Sequence, residues 1–133
     1  MIALLLVIHF VADFLLQSRE MGKKKSSDPH YLFQHLAIQY ACFMVVLLPF
    51  AEHPVYFALA NAALHGIIDW NIWRLYKAAA YMRIKKYPQH PLLTNNQAEP
   101  WKFWEDHWFY ATIGFDQLLH GLTLVLLAWW FGL

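Results

Sequence analysis

The chain has 133 residues, of which 59% are hydrophobic and only 14% charged, a balance far from that of a soluble domain. A formal net charge of +1 gives no electrostatic footprint for nucleic acid, and a single cysteine, Cys42, excludes a disulfide within the chain. Length fits one domain, residues 1–133, and composition fits an integral membrane protein.

The elements follow in chain order. Residues 1–17 are apolar enough to predict a first membrane helix. No basic leader and no small-residue cleavage site accompany it, so it reads as a mature helix and not a signal peptide. "SREMGKKKSSDP" then makes a polar break, and Asp28-Pro29 can start a second helix over residues 31–51. After the short loop "AEHP", a third helix spans 54–73 and continues to about 87 through "RLYKAAAYMRIKKY", until Pro88 stops it. This cytoplasmic extension is either solvated or laid on anionic headgroups. Before a fourth helix over 106–132, Trp101, Trp104, Trp108 and Tyr110 form an expected interfacial belt, with Trp129 and Trp130 at the opposite interface. The expected fold is all-α, an antiparallel four-helix bundle in the membrane.

All ten basic residues fall in two loops, Arg19 to Lys25 and Arg74 to Lys102. By the positive-inside rule these loops are cytoplasmic, which puts both termini on the non-cytoplasmic side of a bacterial inner membrane.

Polar residues recur in each predicted span. The first holds His9, Asp13 and Gln17; the second, His35 and Gln39; the third, Asn61, His65 and Asp69; the fourth, Asp116, Gln117 and His120. Residues at i and i+4 share a helix face, so each set is a stripe directed at the bundle interior. A charge in such a helix costs at least ~2.5 to 3.5 kcal/mol, and the spans contain no Lys or Arg to offset the aspartates. Histidine, water or metal must therefore compensate. The His-x-x-x-Asp order of the first and third helices, and the reversed order of the antiparallel fourth, predict a layer of His9, His65 and His120. A second layer of Asp13, Asp69 and Asp116 lies about one turn nearer the cytoplasm, and His35 starts from that face.

This donor set suits one or two divalent transition-metal ions (Zn, Mn, Fe or Ni) bound by His9, Asp13, His35, His65, Asp69, Asp116 and His120. Asp13, Asp69 and Asp116 are the candidate catalytic carboxylates, and Gln17, Gln39, Asn61 and Gln117 either orient the ligands or bond between helices. A proton-linked or purely hydrogen-bonded network is the alternative. A bis-histidine haem would leave the aspartates unexplained.

The segments "HFVADFLLQ", "HGIID" and "FDQLLH", with His35, resemble a family of small phage and bacterial membrane proteins of unassigned function. Their spacing also looks like that of the inner-membrane-bound metal-dependent hydrolases. The likeness covers the four spans and implies a metal site more than a reaction. The expected function is a metal-dependent hydrolase acting on a membrane lipid or lipid-linked ester or phosphoester at the cytoplasmic leaflet. Arg19, Arg74 or Lys77 would meet a phosphate. The alternatives are a non-enzymatic phage-type protein acting on the host membrane or a membrane partner, and a metal or proton transporter or sensor.

Overall fold

The computed structural model describes residues 1–86 and 106–133; Lys102, Trp101, Trp104 and the end of the predicted extension at residue 87 lie outside them. The described chain is all-helical: α1 (Ile2–Phe10) runs into a π-helical turn (Val11–Leu15), followed by α2 (Arg19–Lys24), α3 (Pro29–Leu47), α4 (Pro54–Lys86) and α5 (His107–Phe131).

Local chemistry sets most boundaries. Ser18 caps α2 by accepting from Met21 N, so part of the expected polar break is a short helix. Asp28 accepts from His30 N with Pro29 in the first turn, which starts α3 two residues earlier than the sequence suggested. That helix stops at Leu47 and not at residue 51, because Pro49 offers no backbone N–H and disfavours helical backbone just before it. Asp106 caps α5 through Trp108 N, and Gly132, in the left-handed region at φ 70°, ends it.

Each of α1, α3, α4 and α5 packs on two neighbours, in the cyclic order α1–α3–α4–α5. All four contacts are antiparallel. Phe43 meets Phe57 at one end of the α3–α4 pair and His35 meets His65 near the other. Phe57 and Phe131 likewise close one end of α4–α5, and Tyr76 and Phe109 the other. Gly66 allows close approach of α3, since a Cβ there would come within 2.8 Å of Leu36 Cδ1.

The interior is divided along its length. The end holding both chain termini is an apolar plug centred on Leu5, Phe43, Leu47, Phe57 and Leu124. The other half buries His9, Asp13, His35, His65, Asp69, Asp116 and His120. The outside carries exposed Phe10, Phe14, Phe33, Val45, Leu126, Trp129 and Trp130. In the histidine-bearing half, polar side chains inside and apolar ones such as Phe10 and Phe14 outside reverse the partition of a water-soluble bundle.

Two helices, Pro29–Leu47 and His107–Phe131, are long and apolar enough to cross a membrane. Ile2–Leu15 is apolar but shorter. α4 has ample length, but Asn61, His65, Asp69, Asn71 and Arg74 dilute its hydropathy.

Candidate metal centre

Four helices deliver the buried donors to one place. His35 Nε2 lies 3.0 Å from Asp13 Oδ1 and 3.3 Å from Asp69 Oδ2, while His65 Nε2 lies 3.6 and 3.1 Å from the same two oxygens. The two imidazole nitrogens are themselves 2.8 Å apart. Donors around a tetrahedral ion with bonds of 2.0–2.1 Å are about 3.3–3.4 Å from one another, and these edges scatter around that value.

A second set adjoins the first through Asp69. His120 Nε2 lies 3.6 Å from Asp69 Oδ1 and 3.7 Å from Asp116 Oδ1. Asp69 thus turns Oδ2 to His35 and His65, and Oδ1 to His120. Asp116 Oδ1 and His120 Nε2 are buried without a hydrogen-bond partner, which is costly unless a cation completes them. In each set, one donor atom per residue lies within 4.8 Å of the others, so these residues could hold a metal ion.

His9 is placed differently. Its ring meets those of His65 and His120 at centroid distances of 5.3 and 4.9 Å, making an all-imidazole group. Its Nε2–H donates to Gln117 Oε1, which leaves Nδ1 as the basic nitrogen.

Of the four amides expected around the ligands, Gln117 alone bonds to them among the described residues. Its Nε2 donates to Asp13 Oδ2 at 3.0 Å and to Asp116 Oδ2 at 3.2 Å, so it spaces two carboxylates while receiving His9. Gln39 and Asn61 are buried one turn beyond the histidines, with amide atoms left unpartnered, and Gln17 packs against Gly22 of α2.

One expectation is corrected. Lys25 does offset the aspartates, although it lies in no predicted span. From the turn after α2 its four-carbon stem carries Nζ to 3.1 Å from Asp13 Oδ1, 3.0 Å from Asp69 Oδ1 and 3.4 Å from His35 Nε2. Burial alone would lower its pKa, but Asp69 and Asp13 outweigh burial and raise it, so the group is an ammonium ion. The turn is fastened from α4: Arg74, stacked on Trp70 at 3.7 Å, donates Nε–H to Ser26 O at 2.8 Å. The available signal was the lysine run itself, the nearest source of cations to carboxylates that had none in their own helices.

The π turn was also missed. Leu16 N bonds to Val11 O at 3.0 Å, and Asp13 sits inside that widened turn.

A profile described as a protein of unknown function (DUF3307) matches residues 1–132. The chain belongs to the DUF3307 family. No curated protein and no solved structure matches it. The centre of this DUF3307 chain must therefore be read from its own geometry, and the match takes in every residue of both donor sets.

Proposed function

We propose that this DUF3307 protein is a membrane-embedded, metal-dependent hydrolase of a lipid or lipid-linked ester or phosphoester, working at the cytoplasmic leaflet of a bacterial inner membrane. The observation that carries the reading is Asp69, whose two oxygens face two different donor groups, as a carboxylate shared by two ions would.

In this reading Asp13, His35, His65 and Asp69 hold one divalent transition-metal ion and Asp69, Asp116 and His120 a second. The ions would supply Lewis acidity, acidifying water and drawing charge from the scissile group. Water adds to the carbonyl or phosphoryl centre, the bond to the alkoxy oxygen breaks, and the alcohol leaves with a proton. Gln117 keeps Asp13 and Asp116 apart and oriented.

A lipid substrate is supported by the outer surface. A groove of about 470 Å³ between α1 and α3, lined by aliphatic side chains such as Val7, Val11 and Val45, runs along Ile8, the neighbour of His9, and Val11, two residues before Asp13. It extends away from the basic loops, the direction in which acyl chains of the cytoplasmic leaflet point. Four membrane-crossing helices, with both termini on the far side, complete the reading.

Lys25 favours a second reading, a non-enzymatic membrane protein whose polar core is an ion-paired folding device. Metal content separates the two. Protein purified in detergent, without chelator or His tag, should carry roughly one to two equivalents of transition metal by elemental mass spectrometry. Folded Asp69→Asn and His120→Ala should carry less. Absence of metal from folded wild-type protein would overturn the hydrolase.

A further inference from the structure

The donor sets are unequal in one respect, and Lys25 makes the difference. Its ammonium lies against two donor atoms of the first set, Asp13 Oδ1 and His35 Nε2, and meets the second set only at the shared Asp69, through Oδ1. Neither Asp116 nor His120 is bonded to it, and Asp116 Oδ1 and His120 Nε2 are buried and unpartnered. Three carboxylates against one ammonium leave two negative charges, the charge of one divalent ion. Two divalent ions and a hydroxide would balance the carboxylates only with Lys25 gone.

We infer that Lys25 sets the metal stoichiometry: one ion binds with the ammonium in place, and a second binds Asp13, His35, His65 and Asp69 only by displacing it. This rests on the metal-centre reading above. The first ion takes the set of Asp69, Asp116 and His120, where it completes the orphaned Asp116 Oδ1 and His120 Nε2 and shares only Asp69 with the ammonium. For the second, an ammonium already within hydrogen-bond distance of the donors and a dication among them repel strongly at low dielectric. Displacement requires the turn bearing the buried Lys25 to swing outward. It is a three-residue turn held from α4 by the Arg74 bond to Ser26 O, and Lys23 and Lys24 just before it are exposed.

The test is a Zn²⁺ titration of the full chain in detergent micelles, followed by calorimetry on wild type and Lys25→Met. Wild type should bind one ion tightly and a second far more weakly. Lys25→Met, which keeps the stem and removes the charge, should tighten the second site by roughly 5- to 150-fold, the usual span of a coupling between two bound groups. Equal affinity in the two proteins would overturn the inference and leave the metal centre standing. Binding by neither, while both are folded, would overturn both.

Should Lys25→Met fail to fold, wild-type protein gives the answer through lysine acylation read by mass spectrometry. Lys25 should be protected without metal and with one equivalent of Zn²⁺, then become at least as reactive as Lys23 and Lys24 at saturation. Protection that persists at two bound equivalents would overturn displacement.

Discussion

The Nε2 atoms of His35 and His65 stand 2.8 Å apart, and each also faces a carboxylate oxygen of Asp13 and of Asp69. One shared proton can bridge the imidazoles but cannot also satisfy both carboxylates, and the Lys25 ammonium reaches only Asp13 Oδ1 and His35 Nε2 of the four atoms, so electron-rich atoms still crowd one point. Replacing His35 or His65 by Asn relieves the crowding and removes a donor. Each variant should stay folded and lose metal affinity by tenfold or more, read as the free Zn²⁺ at half-saturation against a fluorescent chelator. Unchanged affinity in either would exclude that residue as a ligand.

Gln117 ties three groups together, so its replacement by Leu orphans hydrogen-bonding atoms of His9, Asp13 and Asp116 at once. Stability should fall by about 1–3 kcal/mol. Metal affinity should fall roughly 10- to 100-fold, as for groups that orient ligands. Equilibrium unfolding in mixed micelles and metal titration measure the two effects, and Gln117→Glu should not rescue the first, because a third carboxylate would stand beside two others.

Asp106 joins the far ends of α4 and α5. It caps α5 through Trp108 N, accepts from Tyr76 OH at 3.0 Å and from Arg83 at 2.9 Å. Asp106→Ala should cost about 1–3 kcal/mol, with the half-exposed Arg83 pair contributing little of it. Asp106→Asn keeps the cap and should cost less. Burial first, then the Asp106 carboxylate, push the Tyr76 phenol above its ordinary pKa of 10.0. Its folded-state pKa is raised, so its contribution to stability is present below about pH 10 and fades as pH climbs through the raised value. Denaturation midpoints between pH 8 and 11 should show that alkaline loss in wild type and not in Tyr76→Phe.

Orientation is open to a direct check. Ser26 is buried, but its neighbour Ser27 and, at the other end, Glu52 are exposed. In whole cells a membrane-impermeant maleimide should modify Glu52→Cys and spare Ser27→Cys until the membrane is opened. The reverse pattern would place the basic loops outside.

Much of the arrangement was legible because it depends on local periodicity. Apolar stretches and the Asp28-Pro29 start mark the helices, and i, i+4 spacing groups His65 with Asp69 and Asp116 with His120. Antiparallel packing then brings the rings of His9, His65 and His120 together. What escaped depends on long-range geometry. Lys25 belongs to a polar run by composition, and only the fold shows that its turn closes over the carboxylates. The π turn leaves no pattern in residue type, since one residue too many in a turn is visible only in the backbone bond from Leu16 to Val11.

That surplus residue has a consequence for how the chain can vary. A π turn carries five residues through about the angle that four cover in an α-helix, so removing one position between Val11 and Leu15 would heal the ladder and leave the chain beyond it in nearly the same register. The healed helix would be a better helix. The loss would fall on Asp13, which sits inside the widened turn and takes its aim at Lys25 from there, so a single-codon deletion in this stretch should cost the Asp13–Lys25 pair while α2 and the lysine turn keep their place.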